Sequence, residues 1–270
     1  MQIDQGRCVG CGNCVAVCPM GAISVDHAIH RARVNEDECV ECYTCWRGMS
    51  REHLNPRAVR TIRGIARALR FRFEPEPDVC PTSALVESDM SFPRNVRRAF
   101  SDPIVPHEST GVGGRGTEEV KTNDVTGRVG PGEAGFTVEF GRPAIGVRFR
   151  DIDRVTRGLA AIGVEYEKDN PVTSLMPDPK SGGIRDDVLD EKIMSAIVEV
   201  KTRVDRVPEI LRALRSLTAG IETVMCLGVS ARCDDRGDTE LEQVLRAEGF
   251  EFWRGKTNLG LGRPLWRATA

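Results

Sequence analysis

The chain has 270 residues, of which 40% are hydrophobic and 29% charged, with a formal net charge of -2. That length corresponds to about two domains of ordinary folded composition, and the near-neutral charge gives no general attraction for nucleic acid. No apolar run reaches the roughly 18 residues that a membrane span needs.

The cysteines stand out. There are ten, and seven lie within the first 45 residues. No basic-then-apolar leader precedes Cys8, so a cytoplasmic, reducing compartment with thiols serving as metal ligands is expected. The first run is Cys8-Val-Gly-Cys11-Gly-Asn-Cys14-Val-Ala-Val-Cys18-Pro19, a C-x2-C-x2-C-x3-C-P spacing. Three thiolates on one tight loop can wrap one face of an iron–sulfur cubane, while the fourth points away toward a second cluster. Gly10, Gly12 and Asn13 let the backbone curl and aim its amides at sulfur. Ile23–Asp26 and Arg33-Val34 then read as a hairpin, with His27 and His30 as surface residues of its turn. His53 and His107 show no ligand spacing either.

The second run, Cys39-Val-Glu-Cys42-Tyr-Thr-Cys45, repeats the first but lacks its C-P cysteine. That piece returns at Cys80-Pro-Thr-Ser-Ala-Leu, which aligns with Cys18-Pro-Met-Gly-Ala-Ile. The repeat predicts crossed ligation, with Cys8, Cys11, Cys14 and Cys80 on one cluster and Cys39, Cys42, Cys45 and Cys18 on the other. Zinc also uses C-x2-C pairs, but two triplets plus two C-P cysteines favour clusters. These runs resemble those of the bacterial two-[4Fe-4S] ferredoxins over residues 1–46 and 79–90. The resemblance implies low-potential electron transfer.

Residues 46–79 interrupt that pattern. Pro56 opens a helix with apolar residues at Val59, Ile62, Ala66, Leu69 and Phe73, and Arg60, Arg63, Arg67 and Arg70 form a second stripe beside them. Pro56 to Phe73 holds six arginines and no acid. One reading is a solvated basic face. The other is a docking surface for an electron donor or a partner subunit, with nucleic acid disfavoured for want of an aromatic platform.

Pro93, Pro103 and Pro106 make 91–110 read as a linker. The segment 111–135 then carries eight of the chain's 27 glycines. It fits neither a Walker loop nor a dinucleotide fingerprint, but glycine nests bind anions. Lys121-Thr-Asn-Asp-Val-Thr-Gly-Arg128 is echoed by Lys256-Thr-Asn-Leu-Gly-Leu-Gly-Arg263. Arg115, Lys121, Asn123, Arg128, Lys256, Asn258 and Arg263 are therefore candidates to bind a small anionic substrate, and Glu118, Glu119 and Asp124 to supply a proton.

The remainder alternates strands and helices. Phe136–Phe140 and Ile145–Phe149 read as strands. A helix capped by Asp153 ends at Gly163, and Val164–Glu167 is a strand. After a loop at 168–190 come a strand at Ser195–Val200, a helix from Pro208 to Gly220 and a strand at Thr223–Val229. A helix with a Thr239/Glu242 capping box and a strand at Phe250–Trp253 close the pattern. Cys226, within an apolar strand, reads as a buried small hydrophobe, and Cys233 carries no assigned role. The expected fold class is α+β. A two-[4Fe-4S] ferredoxin domain (1–90, helical insertion 46–79) leads through a linker and glycine-rich loop (91–135) to an α/β sandwich of βαβ units, of the split βαβ type (136–270).

The segment 113–128 and the closing Thr257-Asn-Leu-Gly-Leu-Gly-Arg-Pro264, joined to such a ferredoxin domain, resemble the 6-hydroxynicotinate reductase family. That resemblance implies a reductase saturating part of an electron-poor N-heteroaromatic or carboxylated ring, or its iron–sulfur subunit. It also implies a flavin in this chain or in a partner. The competing reading is a non-catalytic electron-transfer subunit whose C-terminal domain serves interaction or ligand sensing.

Overall fold

A chain that repeats C-V-x-C at Cys8 and Cys39 and C-P-x-x-A at Cys18 and Cys80 should repeat its backbone as well, because the same covalent spacing constrains both copies. The computed structural model describes residues 1–47, 56–71, 79–88, 90–105, 128–234 and 236–254, and divides the chain into two compact units, Met1–Arg98 and Ala99–Ala270. In the first unit strand β1 (Gln2–Ile3) pairs antiparallel with β4 (Leu85–Val86), and β2 (Ile23–Asp26) with β3 (Arg31–Val34). Ile3 faces Leu85 in one ladder, as Val34 faces Ile23 in the other. Short helices α1 (Asn13–Val17) and α2 (Thr44–Arg47) carry the third cysteine of each run.

The repeat reaches finer detail than the cysteines. The Asp4 carboxylate accepts from the amides of Gly6 and Arg7, and the Asn35 side chain accepts from those of Asp37 and Glu38. Each is an Asx turn leading into a first cysteine. Left-handed backbone recurs at matching places: Gly10 (φ 67°) with Glu41 (54°), Gly12 (79°) with Tyr43 (59°), and Gly21 (65°) with Ser83 (53°). Three side-chain-bearing residues thus hold a conformation that usually selects glycine, each at a strain of about 1–2 kcal/mol.

Helix α3 (Pro56–Ala68) occupies the interruption and stops short of Phe73, which lies outside the described residues. The expected linker at 91–110 contains helix α4 (Asn95–Ser101), whose Arg97 is buried. The prolines bound this segment at Pro93 and Pro103 instead of dissolving it.

The second unit is built on a four-stranded antiparallel sheet in the order β10-β5-β9-β7, formed by β5 (Glu133–Phe140), β7 (Glu165–Tyr166), β9 (Ala196–Arg203) and β10 (Met225–Ala231). A small ladder of β6 (Val147–Arg148) and β8 (Lys192–Ile193) stands apart from it. One face of the central strands presents Ala134, Phe136, Val138, Phe140, Ala196, Val198 and Val200, all buried, because alternate residues share a face. Helices α5 (Phe149–Ala161) and α6 (Val207–Thr218) pack on each other and bury Ile152, Val155, Leu159, Ile210, Leu211 and Leu214. Helix α7 (Glu240–Ala247) packs on α6.

Several local expectations change. The strand expected at Ile145–Phe149 shrinks to β6, and α5 begins at Phe149, four residues before its expected cap. Phe149 is fully buried with its ring edge-on to Phe100 at 5.1 Å. The Asp153 carboxylate instead accepts from Arg157 Nε and from the amide of Ile184, both at 2.8 Å. Phe250–Trp253 is not a strand: Arg215 and Arg246 lie over the rings of Phe250 and Phe252, and Trp253 is exposed. Thr239 caps α7 through the amide of Leu241, while Glu242 pairs with Arg246 and Arg254. Cys226 is exposed, not buried: it pairs with Glu139, on the face of the sheet opposite Phe136, Val138 and Phe140.

Candidate iron–sulfur site

The eight cysteines of the motifs fall into two sets. Cys8, Cys11, Cys14 and Cys80 line one cavity of about 310 Å³, open space at its mouth included, whose walls also include Ile3, Ala32 and Leu85. Cys18 does not line it. Burial pushes the Cys14 thiol up to about 11, and its neighbours Cys11, Cys80 and Cys8 add to the effect. Burial likewise pushes Cys45 up to about 12, reinforced by Cys42, Cys39 and Cys18. The Cys39 thiol is also raised, first by burial and then by the Glu41 carboxylate. Each set therefore contains the C-P cysteine that follows the other set's triplet in the repeat.

These three shifts have one physical meaning. Crowded sulfurs that lack solvation disfavour the charged form of Cys14, Cys39 and Cys45 unless a cationic centre joins them. A cluster of iron supplies that charge, which is the chemistry this donor set fits. Among the described residues, no three His, Cys, Asp or Glu side chains meet at one point as a mononuclear ion requires. In a cubane each thiolate binds its own iron, so its four ligands stand around a cavity.

Amide hydrogen bonds to sulfur repeat as well. The amide of Ala22 donates to Cys18 Sγ at 3.3 Å, and that of Ala84 to Cys80 Sγ at 3.1 Å. Cys8 Sγ accepts from Gly10 and Ala32, at 3.4 and 3.2 Å. Thr44 and Thr82 hydroxyls lie 3.3 and 3.7 Å from Cys42 and Cys80 Sγ. Such donors stabilise negative charge on sulfur and set reduction potential. Gly10 is required on steric grounds: a Cβ there would stand 2.3 Å from the His30 carbonyl oxygen.

The second set has a polar surround that the sequence did not reveal. Glu41, fully buried, accepts from Arg94 Nε and Nη2 at 2.9 and 2.6 Å and from the Met1 amino group at 2.5 Å. Burial alone would raise its carboxyl, but the amino group and Arg94 outweigh that and hold it below the usual range. The buried Arg97 reaches the loop before Cys42. Arg98 lies over the Tyr43 ring at 4.1 Å. Asp4 and Asn35 stand at matching places in the repeat and mark the turns, but no pattern marks these partners distant in the sequence.

Of the other candidates, His27 and His30 are exposed, as are Cys226 and Cys233. On α3 and the turn after it, Arg67 and Arg70 are exposed beside exposed Ile62, Ile65, Leu69 and Phe71. The side chains of Arg60 and Arg63 lie outside the described set. Arg115, Glu118, Glu119, Lys121, Asn123, Asp124, Lys256, Asn258 and Arg263 all lie outside the described residues. Arg128 lies inside them, ion-paired to Glu167 and 4.0 Å from buried Glu199, to which the Asn170 amide donates at 3.0 Å.

No curated protein and no solved structure matches the chain. Residues 1–24 match the family model described as a 4Fe-4S binding domain, which supports an iron–sulfur electron-transfer role for this part of the chain.

Proposed function

We propose that the chain is a low-potential electron-transfer protein holding two [4Fe-4S] clusters with crossed ligands. One is held by Cys8, Cys11, Cys14 and Cys80, and the other by Cys39, Cys42, Cys45 and Cys18. The observation that carries this reading is the cavity ringed by the first four thiols, whose fourth member arrives from beyond the insertion. When bound, each cluster takes up and releases one electron. The protein's share of the work is to desolvate the thiolates, to present amides from Ala22, Ala84, Gly10 and Ala32 to sulfur, and to fix the loops through left-handed turns.

Helix α3, with its arginines beside an exposed apolar stripe, is the surface we assign to the electron donor or partner subunit. An acidic partner would be steered there by charge and held by apolar contact. The strand order of the second unit supports a split βαβ layout, since β5 and β7 flank β9 while β10 lies outside β5.

The electrons have a proposed destination. The matching octets at 121–128 and 256–263 support reduction of an electron-poor, carboxylated or N-heteroaromatic substrate, in the manner of 6-hydroxynicotinate reductase and with a flavin here or in the partner. Lys121 and Lys256 would bind the carboxylate. Lys121→Ala tests this more cleanly than Arg128→Ala, since Arg128 is committed to Glu167. Under this reading Lys121→Ala loses substrate turnover in the assembled, anaerobically purified protein and leaves cluster reduction intact. Full turnover by the variant leaves the electron-carrier reading alone standing.

A further inference from the structure

The two cysteine loops match residue for residue, so each position in one is a control for its partner in the other. Val9 corresponds to Val40 and Cys11 to Cys42. Val40 is 1% exposed and Cys42 is buried, whereas Val9 is 55% exposed and Cys11 is exposed with it. Val15 is exposed too, and its partner Trp46 is half-buried. The difference lies in what covers each loop. Side chains close over the second: Arg97 donates to the Cys39 carbonyl at 2.9 Å, Arg47 donates to that of Cys42, and Tyr43 is buried beneath Arg98. Among the described residues, no side chain donates to a carbonyl from Cys8 to Cys14. The cavity of the first set has Val9 and Cys11 in its wall, so it opens where those exposed side chains stand. The β2–β3 turn, whose His30 carbonyl lies close against Gly10, adds exposed Ile29.

Resting on the two-cluster reading, we propose that one-electron partners exchange electrons with this chain at the first cysteine set, through the opening that Val9 and Cys11 frame, and that the second set is filled from the first. In each exchange the partner loses one electron and the first set gains it, or the reverse, with no bond made or broken. Tunnelling weakens steeply with the thickness of matter between two redox centres, so a bare ligand loop passes electrons faster than a covered one. A single exposed valine is ordinary on a protein surface. Here the same residue is buried in the other copy, and the exposed one stands two positions from an exposed ligand. Passage onward has a route, because cysteines of both sets pack into one core, with Cys8, Cys14 and Cys45 buried in it and Cys18, Cys39 and Cys80 packed against it.

The test compares full-length, anaerobically purified C18S, which keeps the first set intact, with C80S, which keeps the second. Two readings are taken on the dithionite-reduced proteins. The first is the relaxation of the EPR signal by a dissolved dysprosium chelate, which reports how near each set lies to solvent whatever its potential. The second is the stopped-flow rate of oxidation by hexaamminecobalt(III), which takes one electron and becomes cobalt(II). Dysprosium should relax C18S several-fold more strongly than C80S, and C18S should give up its electron several-fold faster. V9W, which thickens the opening, should slow wild type and C18S and leave C80S unchanged. The proposal is overturned if dysprosium relaxes C80S as strongly as C18S, if C80S is oxidised as fast, or if V9W with full iron reacts at the wild-type rate. Should either serine variant lose its remaining cluster, wild type and V9W decide the matter. Failure of the two-cluster reading would look different: fewer than two clusters per wild-type chain, seen in the iron content before any rate is measured.

Discussion

Gly10 and Gly12 sit two residues apart in the first cysteine loop, both in left-handed backbone, yet their replacement by alanine should have unequal consequences. At Gly12 (φ 79°) an added Cβ meets nothing closer than Val25 Cγ2 at 3.9 Å, so Gly12→Ala should lose only the left-handed preference, about 1–2 kcal/mol. At Gly10 (φ 67°) the same strain applies, and the Cβ would also stand 2.3 Å from the carbonyl oxygen of His30 and 2.7 Å from its carbon. Both are backbone atoms, so relief requires the β2–β3 turn to move. Overpacking of this kind adds about 1–3 kcal/mol. That turn leads directly into Ala32, whose amide donates to Cys8 Sγ, so its displacement also loosens a ligand. Each 1.4 kcal/mol corresponds to about a tenfold change in an equilibrium, so Gly10→Ala should release iron to a chelator roughly tenfold more readily than Gly12→Ala. The assay is bathophenanthroline release from anaerobically reconstituted protein, alongside thermal melting. Equal losses in the two variants would refute the steric reasoning, as would a larger loss at Gly12.

Cys80→Ser and Cys18→Ser should each remove one cluster but not the same one. The Cys80 variant should leave Cys39, Cys42 and Cys45 protected from alkylation, and the Cys18 variant should leave Cys8, Cys11 and Cys14 protected, as peptide mapping can check. In the second unit, Asn170 is fully buried; its amide donates to the Ile197 carbonyl and to Glu199, and its oxygen accepts from the amide of Val172. Asn170→Asp replaces that donor with a second carboxylate beside Glu199. It should destabilise the unit by about 3–5 kcal/mol, the range for an uncompensated buried charge. The loss should deepen as pH rises through the new carboxyl's elevated pKa and ionises it, in denaturant melts that leave iron content unchanged. Leu214→Ala, at a fully buried site on α6, should lower stability by about 2–5 kcal/mol in the same melts.

What the sequence made legible follows from where each constraint originates. Cysteine spacing is local and covalent, so the two triplets, the displaced Cys80 and the hairpin at Ile23–Val34 could be read directly. The helices from Pro56 and around Pro208 followed from proline and apolar periodicity. Glu41 and Tyr43 were not expected in left-handed backbone, because only the repeat partners Gly10 and Gly12 advertise that geometry. Arg94 and Arg97 were hidden in a proline-flanked polar stretch, since their partners lie more than 50 residues earlier in the chain. A carbonyl acceptor leaves no trace in sequence. The exposure of Cys226 depended on which face of the sheet it takes, a matter of the register of β10 with β5 rather than of local pattern.

Whether two sets of four thiols each hold a [4Fe-4S] cluster is decided by iron and acid-labile sulfide analysis of the anaerobically purified chain, joined to EPR of the dithionite-reduced protein. Two four-iron clusters predict about eight irons and eight sulfides per chain, with signals from two interacting paramagnets. Four irons with one isolated signal, or zinc in place of iron, would contradict it.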